Sequence, residues 1–167
     1  MLIGFIGLGN MARAIIAGMR ESEAFRHAPI IGSDHNEVKR REMEERWNLT
    51  IVADDIAVAQ KADLLVLAVK PQALPVLFER INPSRKRGQC ILSLAAGRPL
   101  SWLEETLGAD TPIVRAMPNV AARVGGSVTA LCKNGQIDDA QKDLATAMFR
   151  AVGQAVWMTE ERMNAFS

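Results

Sequence analysis

Short apolar runs alternate with longer mixed stretches along the whole chain of 167 residues. These runs predict strands at residues 2–6, 29–33, 49–52, 63–69, 90–94, 113–117, 127–131 and 155–158. The longest of them are apolar almost throughout, which is typical of parallel strands that helices cover on both faces. The pattern therefore indicates a buried, largely parallel sheet.

The mixed stretches between the strands predict helices. Asn36 and either Asp54 or Asp55 stand where a side chain can accept the first free N–H groups of a helix. Pro71 suits a first helical turn, although Pro75 requires either a kink or a later start of that helix. The regular alternation of strand and helix predicts a doubly wound, mostly parallel α/β sheet in a single domain.

A glycine turn joins the first predicted strand to the first helix. Gly7, Gly9 and Ala12 have the G-x-G-x-x-G/A spacing, in which the residues allow a tight turn, the approach of a pyrophosphate, and close helix packing. The same letters also occur in purely structural turns. Here, Asp34 ends the second strand roughly 20 residues later, where Rossmann-type domains hold the ribose. This context favours dinucleotide binding.

The residues that follow the strands predict one shared cleft. Residues 7–12, 33–34, 69–71 and 95–97 each lie at the carboxyl end of a predicted strand. Ligands of open α/β sheets bind along that edge. One cleft formed by these segments is therefore the simplest arrangement.

Composition and charge exclude several other classes of function. A formal net charge of +1 gives no reason to expect nucleic acid or a membrane surface as a partner. Cys90 and Cys132 lack the spacing of a metal or redox site, so we expect buried, inert thiols and no metal. No stretch of the sequence is long and apolar enough to span a bilayer, and we expect a cytoplasmic protein.

Four segments of the chain form a recognisable set: GFIGLGNMA from residue 4, AVKP from residue 68, SLAAG from residue 93 and RAMPN from residue 115. Taken together, they resemble pyrroline-5-carboxylate reductase. Their order and spacing match the N-terminal domain of that family over essentially the whole chain. Reductases similar to 6-phosphogluconate dehydrogenase share the first segment, but we do not expect them to share the others.

The resemblance implies NAD(P)H-dependent reduction of the cyclic imine 1-pyrroline-5-carboxylate to L-proline, the last step of proline synthesis. By position in the matching segments, it implies cofactor contacts at Ile6, Gly7, Leu8, Gly9, Asn10, Met11, Ser33, Asp34, Asp55, Ala68, Val69, Lys70, Pro71, Ala95, Ala96 and Gly97. Hydride transfer to a protonated imine requires alignment and exclusion of water rather than a catalytic triad. Lys70 and Asn119 are the polar candidates for a catalytic role, although a helix-start residue and a turn residue are equally ordinary interpretations.

The sequence departs from the family pattern in three places. Asp55 stands where the family commonly has Asn, and Val120 and Ala121 replace a Thr-Pro pair at the start of a predicted loop over residues 120–126. The family also continues into a helical domain that holds the substrate carboxylate and forms a homodimer or larger assembly. We therefore expect residues 1–158 to be the NAD(P)-binding domain and residues 159–167 to begin a linker or helix toward that domain.

The choice of cofactor has two interpretations. Asp34 can accept both ribose hydroxyl groups and would repel a 2′-phosphate, which favours NAD(H). Ser33, His35, Lys39 and Arg40 can instead surround a 2′-phosphate if Asp34 is turned aside. The family resemblance favours NADP(H), and NAD(H) stays possible.

Two other functions fit the same residues. The chain can be a dinucleotide-binding module or sensor without reductase activity, or part of a reductase of another imine or ketone. If it is the cofactor-binding portion of the proline enzyme, we expect the chain alone to be inactive or weakly active, because the substrate-selecting groups lie elsewhere.

Overall fold

Eight strands form one sheet in the computed structural model, which describes residues 1–163. In chain order the strands are β1 Ile3–Ile6, β2 Ile30–Ser33, β3 Thr50–Val52, β4 Leu64–Leu67, β5 Cys90–Ser93, β6 Ile113–Met117, β7 Ser127–Lys133 and β8 Gly153–Trp157. The helices are α1 Asn10–Glu21, α2 Glu37–Trp47, α3 Asp55–Lys61, α4 Leu74–Ile81, α5 Leu100–Leu107, α6 Asp139–Arg150 and α7 Glu160–Met163. Three short 3₁₀ helices cover Pro71–Ala73, Asn82–Ser84 and Val120–Val124.

The strand order is β3-β2-β1-β4-β5-β6-β7-β8. All neighbouring strands are parallel except β6 and β7, which pair antiparallel with Arg115 opposite Cys132. The chain builds the sheet outward from β1 in one direction and from β4 in the other. The prediction of a doubly wound, mostly parallel sheet is therefore confirmed, and the direction changes between β1 and β4.

Two apolar cores cover the two faces of the sheet. Alternate residues of each strand point to opposite faces, so Phe5 belongs to one core and Ile6 to the other. The first core includes Phe149 of α6 and the buried side of α1, and the second includes Phe78 of α4. Because both faces are covered, the continuously apolar central strands are fully buried, as their sequence predicts.

Local capping signals determine where several helices begin. Asn36 Oδ1 accepts the Lys39 N–H at 3.2 Å, and Asp54 Oδ1 accepts the Ile56 N–H at 3.0 Å, so Asp54 rather than Asp55 is the cap of α3. Between Pro71 and Ile81 the α-helix starts late, at Leu74, because Pro75 lies in its first turn, where no N–H is needed.

One local expectation requires correction. Residues 120–126 are not simply a loop, since Val120–Val124 form a 3₁₀ helix. Asn119 caps that helix, and its Oδ1 accepts the Ala121 N–H at 3.1 Å. A helix or linker was expected over residues 159–167, and the structure has the short helix α7 at Glu160–Met163. Residues 164–167 lie outside the described residues.

Both cysteines are buried, as predicted. Burial raises the pKa of the Cys90 thiol to about 12 and that of the Cys132 thiol to about 11. Among residues 1–163, no three His, Cys, Asp or Glu side chains group closely enough to hold a metal ion. No helix in this part of the chain has both the length and the apolar character needed to cross a membrane.

Candidate functional site

The turn between β1 and α1 requires glycine at its first position. Gly7 has φ +90°, a conformation that L side chains rarely adopt. A Cβ at Gly7 would also lie 2.9 Å from the Ala68 carbonyl oxygen, because the turn passes directly over the end of β4. The Gly7 N–H donates to the Ser33 carbonyl at 2.9 Å. This glycine is therefore needed by the fold itself.

Gly9 differs, because nothing in the fold requires it to be glycine. It is the N-cap residue of α1 with φ −74°, a conformation open to any residue, and no side chain caps the helix there. A Cβ at Gly9 would meet no protein atom within 4 Å. The turn thus leaves free space directly outside the N–H groups at the start of α1, where the helix dipole favours an anion.

This open space belongs to a groove of about 380 Å³. The groove runs between the start of α1 and the start of α2 and is lined by Leu8, Gly9, Asn10, Arg13, Asn36, Val38, Lys39 and Glu42. Because the groove combines free helix N–H groups, an unhindered backbone and cationic side chains, it fits the phosphates of a dinucleotide.

Asp34 holds the glycine turn against the end of β2. Its Oδ2 accepts the Leu8 N–H at 2.9 Å, and its Oδ1 accepts the Asn36 N–H at 2.8 Å. Burial opposes the charge on this carboxyl, but these two hydrogen bonds and the nearby Lys39 outweigh it, so the pKa of Asp34 lies below its ordinary value. The two carboxylate oxygens thus bind the backbone of two different turns, the glycine turn before α1 and the turn before α2.

Ser33 and Asp55 also meet at this end of the sheet. The Ser33 hydroxyl donates to Asp55 Oδ1 at 2.7 Å, and Arg80 Nη1 donates to Asp55 Oδ2 at 3.2 Å. Arg80 also lies 3.5 Å from Asp54. The carboxylate that stands in place of the family's Asn therefore has a cationic partner from α4.

The segments after β4 and β5 continue the same edge of the sheet. The Ala68 N–H donates to the Ile6 carbonyl at 2.9 Å, and the Leu94 N–H donates to the Leu67 carbonyl at 3.0 Å. Ala95 is buried behind them, whereas Ala96 and Gly97 are exposed. The structure therefore brings residues 68–71 and 95–97 to the edge where the glycine turn lies, as the sequence predicts.

The two catalytic candidates lie at this edge with exposed side chains. Lys70 precedes the 3₁₀ helix at Pro71–Ala73, and its carbonyl accepts the Ala73 N–H at 2.9 Å. Asn119 follows β6, and its Oδ1 is engaged in capping. Both positions are compatible with a role near the cofactor, but the contacts observed are those of turn residues, and their catalytic role stays a prediction.

One group beside the site was missed by the sequence analysis. Arg115 of β6 is buried, and its guanidinium forms an ion pair with Glu160 at the start of α7. Glu160 Oε1 also accepts the Leu100 N–H at 2.8 Å. An arginine inside an otherwise apolar strand was the available signal, because a buried charge requires a partner.

Comparison with known proteins places the chain in a family. Residues 2–97, more than half of the chain, match the family described as NADP oxidoreductase, coenzyme F420-dependent. The chain belongs to this NADP oxidoreductase family. The matched range includes the glycine turn, Asp34, Asp55 and the segments after β4 and β5.

Several relatives are named pyrroline-5-carboxylate reductase, the family that the four sequence segments resemble. The chain is 36% identical to a pyrroline-5-carboxylate reductase of Pseudomonas aeruginosa over 159 residues, which cover 95% of this chain and 58% of that protein. A solved pyrroline-5-carboxylate reductase of Coxiella burnetii has a TM-score of 0.89 and 34% identity, covering 95% of this chain and 59% of that one. The resemblance stated from the sequence is thereby confirmed.

A second solved structure extends the likeness of fold. The Plasmodium falciparum pyrroline carboxylate reductase, solved with NADP bound, has a TM-score of 0.86 and 23% identity, and the match covers 98% of this chain and 60% of that one. This NADP oxidoreductase chain therefore spans about 60% of the length of the relatives it matches.

Proposed function

We propose that this chain is the cofactor-binding portion of an NAD(P)H-dependent pyrroline-5-carboxylate reductase, which reduces 1-pyrroline-5-carboxylate to L-proline. The observation that carries the proposal is the open turn at Gly9, where free helix N–H groups face a groove and no protein atom fills the place of a side chain. The pyrroline-5-carboxylate reductases among the relatives give the reaction, and the family description, which names NADP, supports NADP(H) as the cofactor.

In this proposal the chain's main task is to position the dinucleotide. The N–H groups at the start of α1 bind the pyrophosphate, while Ser33, Asp34 and Asp55 lie at the adenosine side of the edge. Residues 68–71 and 95–97 support the other half, toward Lys70 and Asn119. When bound, the reduced cofactor supplies the hydride for the imine carbon.

Such a reaction requires no acid–base triad among the side chains at this edge. A protonated imine carbon is already electrophilic, so the protein has to align it and exclude water. The exposed backbone at Ala96 and Gly97 allows a flat ring to approach closely. Lys70 and Asn119 are the polar groups available to orient the ring or the substrate.

The rest of the proposal concerns the longer protein. Groups that hold the substrate carboxylate and form a homodimer or larger assembly are proposed to lie in a helical domain after residues 1–158, with residues 159–167 leading to it. We propose a cytoplasmic enzyme whose partner is the small imine, without nucleic acid or membrane as partners. The chain alone is then expected to bind cofactor and to turn over weakly or not at all.

Titration calorimetry of the chain with NADPH and NADH tests the proposal. Gly9→Ala should weaken binding at least about tenfold, because its methyl group enters the space of the pyrophosphate. Gly135→Ala is the matched control, since a Cβ there also meets no atom within 4 Å, and Gly135 lies beyond β7 at the opposite edge of the sheet. Binding of neither dinucleotide to the folded chain, or equal binding by both variants, would overturn the proposal.

The reaction itself is tested with a protein extended to the length of the relatives. Consumption of NADPH with 1-pyrroline-5-carboxylate by the longer protein, with little by the chain alone, is the expected result. Cofactor binding without any reduction in the longer protein would instead identify a dinucleotide-binding module, and reduction of other imines or ketones only would identify a different reductase.

A further inference from the structure

The arrangement around Asp34 is unlike that of a carboxylate that binds a free ribose. A carboxylate that recognises the 2′- and 3′-hydroxyl groups needs oxygens directed at the ligand. Here the side chain is only 4% exposed, and each oxygen already accepts a backbone N–H, from Leu8 or Asn36. The carboxylate therefore acts as a brace between the glycine turn and the start of α2.

The same carboxylate holds a cation at the mouth of the groove. Lys39 Nζ lies 3.5 Å from Asp34 Oδ2, and the lysine side chain is 38% exposed. Lys39 lines the groove together with Leu8 and Gly9. Asp34 Oδ2, the oxygen nearest to Lys39 Nζ, also accepts the Leu8 N–H, so the ammonium group lies beside the glycine turn. Asp34 thus directs Lys39 while its own charge is shielded from the groove.

The other charged groups of this region leave Lys39 as the cation that faces the ligand. Arg13, the other cation that lines the groove, pairs with Glu42, and its Nε donates to the Leu8 carbonyl at 3.1 Å. Glu37, which does not line the groove, pairs with Arg41 at 2.6 Å. His35 is almost fully exposed, with its Nδ1 3.8 Å from Asp34 Oδ1.

Arg40 adds positive charge behind Lys39. Its Nη1 donates to the Asp34 carbonyl at 2.8 Å. Within residues 1–163 it forms no ion pair with a carboxylate. Arg40 does not line the groove, so it contributes to the local potential without taking the place of Lys39.

We propose that Lys39 is the residue that selects NADPH over NADH, by binding the 2′-phosphate of the adenosine ribose. The inference rests on the proposed function and deepens it by naming the cofactor and the group that recognises it. A phosphate monoester carries close to two negative charges at neutral pH, and an ammonium group at the rim of a groove is a suitable partner. NADH lacks that phosphate and leaves Lys39 without a ligand.

The test compares the binding of both dinucleotides to the chain and to three variants by titration calorimetry. The unaltered chain should bind NADPH about tenfold more tightly than NADH, and Lys39→Gln should remove most of that preference while changing NADH binding less than about twofold. Arg87→Gln is the control, because it removes the same charge from an exposed residue in the turn before β5, at the opposite edge of the sheet. It should leave both affinities unchanged.

The outcomes separate the two proposals. Dinucleotide binding with no preference for NADPH, or a Lys39→Gln variant that weakens NADPH and NADH equally, would overturn the role of Lys39 and leave the proposed function standing. Failure of the unaltered, folded chain to bind either dinucleotide would overturn both. Lys39→Arg, which keeps the charge, should retain the preference.

Discussion

The buried guanidinium of Arg115 in β6 forms an ion pair with the carboxylate of Glu160, the first residue of α7. Arg115 is 3% exposed and Glu160 27%, and Glu160 also accepts the backbone N–H of Leu100 at the start of α5. One carboxylate therefore joins a strand, a helix and the end of the described chain. Because β6 ends at the same edge as the glycine turn, this contact fixes α7 near the candidate site.

Glu160→Gln should destabilise the chain by about 2 kcal/mol. The substitution leaves the buried Arg115 without a charged partner, and breaking a buried ion pair costs several kcal/mol, reduced here because Glu160 is partly exposed. Urea unfolding of the two proteins measures the difference. Glu161→Gln is the control, since Glu161 is the exposed neighbour, and equal losses in both variants would contradict the role of the ion pair.

Gly7→Ala and Gly9→Ala should separate stability from binding. Gly7 combines φ +90° with a Cβ position 2.9 Å from the Ala68 carbonyl oxygen, so alanine should cost about 2 kcal/mol or more of folding stability. Gly9 has an ordinary φ and open space, so its alanine variant should lose at most about 1 kcal/mol, mainly through poorer capping. Thermal unfolding measures both, and a larger loss at Gly9 would show that the turn is arranged differently.

Asp34 should contribute stability that disappears in acid. The pKa of its carboxyl is lowered below the ordinary value of 3.8, so the native state favours the ionised form more than the unfolded state does. The contribution is therefore complete above about pH 4 to 5 and is lost as the pH falls through the lowered native pKa.

The comparison of the unaltered chain with Asp34→Asn measures this dependence. Asparagine keeps the shape but does not titrate, so the difference in unfolding free energy between the two proteins should be largest near pH 6 and should shrink toward pH 3. A difference that stays constant over this range would mean that the Asp34 carboxylate has the same pKa in both states.

The sequence could predict the elements that depend on neighbouring residues. The capping side chain of Asn36, the late helix start near Pro75 and the glycine turn all follow from local chemistry, and the alternation of strands and helices determines which segments share an edge. The roles of Asp34 and Arg115 could not be predicted in the same way. Their partners Leu8 and Glu160 lie 26 and 45 residues away, so only the folded chain brings them together.

The cysteines provide a direct measurement of whether α7 stays docked. Both thiols are buried and have a pKa near 11 or 12, so at pH 8 only about one thiol in a thousand or fewer is the reactive thiolate, and labelling with iodoacetamide should be slow until the chain unfolds. Cys132 also packs against Met163 of α7, with its Sγ 3.7 Å from the Met163 Sδ.

Loss of the Arg115–Glu160 ion pair should therefore expose one thiol and not the other. In Glu160→Gln, release of α7 uncovers Cys132, whereas Cys90 in β5 stays enclosed between the sheet and its helices. Mass spectrometry of the labelled peptides should show faster modification of Cys132 by about tenfold, with Cys90 as the internal control. Equal acceleration at both cysteines would indicate that the variant unfolds globally, and no acceleration at either would show that α7 remains docked without the ion pair.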